Sequence, residues 1–272
     1  MADDTLRIMV IGAHPDDPDV SAGGTVALYT RAGHQVQMVS LTNGDAGHME
    51  IGGAPLAWRR RLEAQAAGRT LGAAYLVLDH HDGELVPDLD LRREVIRLIR
   101  SFGPDLVLAP RPWDYHPDHR AAGQVVQDAS YLLTVPNAVS DRPHLERMPV
   151  IAHLWDRFQT PCPFRADIAV DIDPTLEDKV DALACHESQM FEWLPYNRGE
   201  LDRVPADAAA RREWLREHLL PRFARPADTS RDLLMARYGP ERGERVACAE
   251  AFQVSEYGRQ PSTEELEALF PF

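Results

Sequence analysis

Strand-length apolar runs alternate with helix-length amphipathic runs through the first half of this chain, and that alternation restricts the fold more than any other feature. Leu6-Arg7-Ile8-Met9-Val10-Ile11 reads as a buried strand. A helix is expected from Thr25 to Ala32, closed by Gly33, with a strand following at 36–42. Trp58 to Leu71 carries Leu62, Ala66, Ala67 and Leu71 at helical spacing and stops at Gly72; Tyr75-Leu76-Val77-Leu78 is the next strand. Leu91, Val95, Leu98, Ile99 and Phe102 then mark one helical face, which Gly103-Pro104 ends ahead of a fourth strand at 105–110. Strand and helix in strict alternation predict an α/β, Rossmann-like, mostly parallel sheet with helices on both faces.

Beyond about Pro136 the regularity fades, with prolines at 143, 149, 161 and 163. Strands are expected at 150–154, 166–172 and 249–254, and a helix from Leu176 to Met190. No linker composition divides this stretch from the first half. Residues 1–272 are therefore expected to form one domain, with roughly 136–272 as its less regular C-terminal extension.

Charge and composition exclude several partners. A formal charge of -14 opposes a phosphate backbone, and Arg59-Arg60-Arg61 is the one compact basic run, so no nucleic acid is expected. The longest apolar runs are strand-sized and fall short of the roughly 20 residues that span a bilayer, so no membrane partner is expected either. Met1-Ala2-Asp3-Asp4 opens without the basic segment and apolar core of a leader, which makes the cytoplasm the default location. Cys162, Cys185 and Cys248 are odd in number and far apart, fitting neither a disulfide framework nor a metal knuckle.

The chemistry lies where two strands end. The first empties into Gly12-Ala13-His14-Pro15-Asp16-Asp17, and the fourth into Arg111-Pro112-Trp113-Asp114-Tyr115-His116-Pro117-Asp118-His119. Open α/β sheets bind ligands beyond the carboxyl ends of their strands, so two His/Asp clusters are delivered to one rim. His14 and Asp17 stand three apart, as do His116 and His119, and each pair can face one point. Nitrogen and carboxylate donors suit zinc, whose catalytic sites use three protein ligands and keep one position open; other divalent transition metals accept the same donors. A single loop histidine or aspartate is usually solvated or caps an amide, but two clusters after two strands are hard to read that way. The first turn lacks a G-x-G-x-x-G pattern, which argues against a dinucleotide. Neighbouring His80 and His81 point oppositely on an extended segment and suggest no second metal site. Asp45 is expected to brace its Asn-Gly-Asp turn, and His186 to be structural.

Ala13-His14-Pro15-Asp16-Asp17, Gly23-Gly24-Thr25, Thr42-Asn43-Gly44-Asp45, Arg60 with Glu63 ahead of Leu71-Gly72, and His116-Pro117-Asp118-His119 together resemble the LmbE/PIG-L family of metal-dependent de-N-acetylases. A weaker echo follows at 179–189 and 250–252. The resemblance implies zinc held by His14, Asp17 and His119, and Asp16 as general base. It further implies His116 as oxyanion stabiliser or acid with Asp118 orienting its ring, and Arg60 and Asp82 near the substrate. The implied reaction is removal of acetyl from an N-acetylglucosamine-type derivative, so the expected partner is a small N-acylated molecule; a homo-oligomer is compatible. Two alternatives remain: an amidase for a thiol conjugate or other non-sugar amide, and a non-catalytic metal-binding protein. The acidic chain, with Arg60 and Asp82, suggests a neutral or cationic hydroxylated amine over a polyanion.

Overall fold

A computed structural model of the protein describes residues 5–272; the leader reading of residues 1–4 lies outside them. Its elements follow the expected order through the fourth strand, β1 (Arg7–Gly12), α1 (Asp17–Arg31), β2 (Gln35–Thr42), α2 (Ala54–Leu71), β3 (Ala74–His80), α3 (Leu89–Phe102) and β4 (Leu106–Ala109), after which comes a further helix, α4 (Pro117–Ser130). The second half supplies β5 (Val150–Leu154), β6 (Ile168–Asp171), α5 (Leu176–Ala184), α6 (Leu194–Arg198), α7 (Ala208–Thr229), α8 (Arg231–Tyr238), α9 (Pro240–Arg245), β7 (Ala249–Val254) and α10 (Thr263–Leu269).

Seven strands form one sheet in the order β3-β2-β1-β4-β5-β7-β6. The first five run parallel, and β7 is antiparallel to both β5 and β6. Because β1 is central, its side chains feed two cores in alternation. Ile8 and Val10 pack with α1, α2 and α5 on one face, while Met9 and Ile11 pack with α3 and α4 on the other. The apolar stripe of α3 is the clearest case of sequence dictating packing. Leu91, Val95 and Ile99 are buried at helical spacing, and the Asp88 carboxylate accepts the amides of Asp90 and Leu91 to cap the first turn.

The chain order reverses between β1 and β4, which are hydrogen-bonded neighbours. Such a switch point opens a crevice beyond the carboxyl ends of the strands, and both His/Asp clusters follow these two strands.

Three expectations need correction. The first helix starts at Asp17, not Thr25: Pro18 presets its first turn, and Gly23-Gly24 lies within it, glycine being needed at 24 because a Cβ there would stand 2.7 Å from Ile172. The second cluster opens α4, which its alanine- and glycine-rich sequence concealed. The helix expected over 176–190 ends at Ala184 and resumes as a π-helical turn at Ser188–Trp193, where the Glu63 carboxylate takes the Ser188 amide (3.0 Å) and hydroxyl (2.6 Å).

Candidate active site

The β1–α1 turn is built by close approach. A Cβ on Gly12 would stand 2.6 Å from that of Asp17, so only glycine lets α1 start directly over the strand end. Asp16 sits at the N-cap with φ 117°, a conformation that non-glycine residues rarely adopt and that costs about 1–3 kcal/mol. Its amide donates to the Tyr75 hydroxyl (3.1 Å), and its carboxylate accepts from the Arg60 guanidinium (3.0 Å). Such strain persists because the surroundings hold it.

Three donors meet at the mouth of this turn. His14 Nδ1 stands 3.4 Å from Asp17 Oδ2 and 3.2 Å from His119 Nε2, and the latter two atoms are 3.3 Å apart. Tetrahedral ligands about 2.0–2.1 Å from a zinc ion would be separated by roughly 3.3–3.4 Å. Two imidazole nitrogens and a carboxylate oxygen at this spacing fit such an ion. The amides of Ala13 and His14 donate to the same Asp17 oxygen (3.0 and 2.8 Å), which fixes its position.

The far sides of both rings are held by carboxylates. His14 Nε2 stands 3.1 Å from Asp118 Oδ2 and 3.1 Å from Asp82 Oδ1, and His119 Nδ1 is 3.2 Å from Asp114. Asp118 is fully buried and accepts the amides of Gly83 (2.7 Å) and Leu85 (3.1 Å). Orientation of an imidazole by a carboxylate fixes which ring nitrogen is free for a metal. Here the sequence reading needs revision, since the Asp118 carboxylate orients His14 and not His116. His14 also groups with Asp82 and Asp118 as a second set of donors within 4.8 Å. That set surrounds the closed Nε2 side, whereas Nδ1 faces the cleft with Asp17 and His119.

His116 joins His14 and His119 within 4.8 Å, its ring edge-on to His14 at 4.5 Å between centroids. Its Nδ1 accepts the Asp118 amide (3.2 Å), so a neutral ring carries its proton on Nε2. Burial, with His14 and His119 alongside, lowers the pKa of His116 and favours that neutral form. Elsewhere in the cluster, positive charge is favoured. Burial opposes protonation of His119, but Asp17 and Asp114 outweigh it and push its pKa up to about 10. Burial likewise opposes a charged His14, and Asp118, Asp17 and Asp82 overcome it to raise its pKa. Asp17 is held well below the usual carboxylate range, burial being outweighed by His119 and His14. Asp16 behaves differently. Its burial dominates over the Arg60 charge, and its carboxyl is raised to about 6.

Arg60 is 1% exposed and reaches Asp16, the Pro15 carbonyl (2.7 Å) and, more distantly, Asp82 (3.7 Å). It is a buried arginine that lines the cleft and braces the strained turn. Gly44 makes room, since a Cβ there would stand 2.6 Å from the guanidinium. Asp45 also does more than hold its own turn: Asn43 takes the Asp45 amide, while Asp45 accepts the Asp82 amide (3.0 Å) and pairs with His81 (2.6 Å). His186 is fully buried against Asp19 at 3.1 Å. Sequence reasoning missed Asp114, although it lies between the strand end and His116, where a ring-orienting carboxylate was worth seeking.

The cluster forms the floor of a cleft of about 850 Å³. Its walls come from the second half of the chain: Trp155 to Phe158 after β5, Met190 and Trp193 of the π-helical turn, and one face of α7. No helix among the described residues is long and apolar enough to cross a membrane.

Comparisons agree with this architecture. The family described as PIG-L: GlcNAc-PI de-N-acetylase matches residues 9–130, which span both clusters. Diacetylchitobiose deacetylase of Thermococcus kodakarensis is 33% identical over 210 residues, covering 72% of this chain and 76% of that protein. The 4-oxalmesaconate hydratase of Pseudomonas putida is 28% identical, covering 72% of this chain and 78% of its own. Among solved structures, the N,N'-diacetylchitobiose deacetylase of Pyrococcus horikoshii aligns with 96% of this chain and 89% of its own, with a TM-score of 0.71 at 24% identity, which speaks to fold alone.

Proposed function

Since this chain belongs to the PIG-L family of de-N-acetylases, we propose that it is a zinc-dependent hydrolase that removes acetyl from an N-acetylglucosamine-type amino-sugar derivative. The observation that carries the reading is the triangle of His14 Nδ1, Asp17 Oδ2 and His119 Nε2, with sides of 3.2 to 3.4 Å. A divalent ion held there would polarise the acyl carbonyl and acidify a water.

The protein's own groups then divide the work. Asp16, adjacent to the ligand Asp17 but bound to Arg60, is the base that takes the water's proton; a carboxyl raised to about 6 suits a base near neutral pH. His116 donates from Nε2 to the oxyanion as it forms, and the proton that Asp16 has taken from the water passes to the departing amine. Asp118 and Asp114 hold the rings of His14 and His119, and Arg60 with Asp82 steadies the base and its neighbour. Acetate and a free amine are the products.

The test is acetate release from methyl N-acetylglucosaminide and N,N'-diacetylchitobiose by zinc-loaded protein, run beside acetyl-lysine peptides and amides of thiol conjugates. Turnover of the sugars is expected. Cleavage of peptides or conjugates without sugars would move the substrate to another amide and leave the hydrolase standing.

A further inference from the structure

The net charge of -14 suggests an aversion to anions, yet the catalytic cleft is lined by three arginines whose side chains make no ion pair or hydrogen bond: Arg157, Arg222 and Arg225. The carboxylates of the same cleft are already engaged. Asp16 is paired with Arg60, Asp82 with His14 and Asp114 with His119. Asp156 is held bidentately by Arg111 (2.6 and 2.7 Å), which also anchors the loop carrying Arg157. Arg157, Arg222 and Arg225 are exposed residues of the cleft wall, and Asp17, Asp16 and Tyr115 act on Arg222 through space, with Arg157 opposing.

Helix geometry gathers this charge. His218, Arg222 and Arg225 recur at spacings of four and three on α7, so they share one face, and that face lines the cleft. Pro221 and Pro226 within α7 each remove a backbone donor, which bends a helix at the stretch where this face meets the cleft. Guanidinium groups held apart from carboxylates at an enzyme's cleft are matched by oxyanions, which they bind bidentately.

We propose that the substrate's amino-sugar portion bears a fixed negative charge, a carboxylate or phosphate on its aglycone side, bound by Arg222 and Arg225 with Arg157 across the cleft. The inference rests on the deacetylase reading and refines its substrate. The zinc-loaded protein is assayed on N-acetylglucosamine 1-phosphate, on an N-acetylglucosaminide with a carboxylate aglycone, and on methyl N-acetylglucosaminide. At least one charged compound should exceed the methyl glycoside in kcat/KM by about tenfold or more, and the excess should shrink as salt rises. Which of the two is preferred names the group. The double variant R222Q/R225Q should collapse the charged-to-neutral ratio towards one, whereas R69Q, a change outside the cleft, should leave that ratio intact. A parallel titration compares binding of glucosamine 1-phosphate and methyl glucosaminide to the same proteins, without turnover. Equal rates on charged and neutral compounds, or a preference that survives in R222Q/R225Q, would overturn the proposal. If no compound releases acetate, the deacetylase reading fails and the titration alone decides: tighter phosphate binding that the double variant loses supports the arginine site, and binding that it keeps refutes it.

Discussion

The floor and the walls of the cleft are built under opposite constraints. The floor hangs from β1 and β4, two buried strands whose registers leave little freedom, and its ionisable groups are held by one another and by backbone amides. The walls come from α7, the π-helical turn and the loop after β5, and their arginines are left without partners. A floor of interlocked charges fixes one chemistry. Walls whose charges are unmatched leave selectivity to the ligand, so substitutions below should abolish turnover, and substitutions above should reorder substrates.

The largest effect is expected at the floor. H119A removes one corner of the donor triangle, so elemental analysis should show most of the metal lost and acetate release should fall to background. Full metal content with normal turnover would take His119 out of the ligand set. D16N comes next, with zinc and fold retained and turnover reduced by about 100-fold to 10,000-fold, as loss of a general base typically costs.

A smaller effect separates the revised role of Asp118 from the expected one. Because its carboxylate orients His14, D118N should weaken zinc affinity by about 10- to 100-fold, measured against a competing chelator. Unchanged affinity with slower turnover would return Asp118 to His116. The mildest test concerns Arg60, whose charge opposes the burial that lifts the Asp16 carboxyl to about 6. The base works ionised, so kcat/KM should fall as pH drops through about 6. R60A removes the opposing cation, which favours the protonated acid and moves that limb to higher pH; R60K should restore part of it. A raised KM with an unmoved pH profile would make Arg60 a substrate contact after all.

How much could be read without coordinates follows the same division. The strand–helix alternation and the donor types of the two clusters are local features, and they foretold a parallel sheet and the residues its switch point gathers. Asp118 was misassigned because its partners, His14 and the amides of Gly83 and Leu85, come from distant segments that only the folded sheet brings together. Arg60 lies within a basic run that looks solvated, and only the glycine at 44 and the strained turn at Asp16 reveal why it is buried. Along α7 the arginines resemble a surface face, since periodicity cannot tell solvent from the wall of a cleft.

The central claim is that Asp16 activates water for amide hydrolysis on a zinc site made by His14, Asp17 and His119. Acetate release from an N-acetylglucosaminide by wild type and by D16N, each with its zinc content measured, tests it most directly. The account predicts release by wild type and a loss of at least about 100-fold in D16N at equal zinc. Contradiction would be a D16N protein as active as wild type, or a zinc-loaded wild type that releases no acetate while hydrating 4-oxalmesaconate, the compound in the name of the hydratase relative.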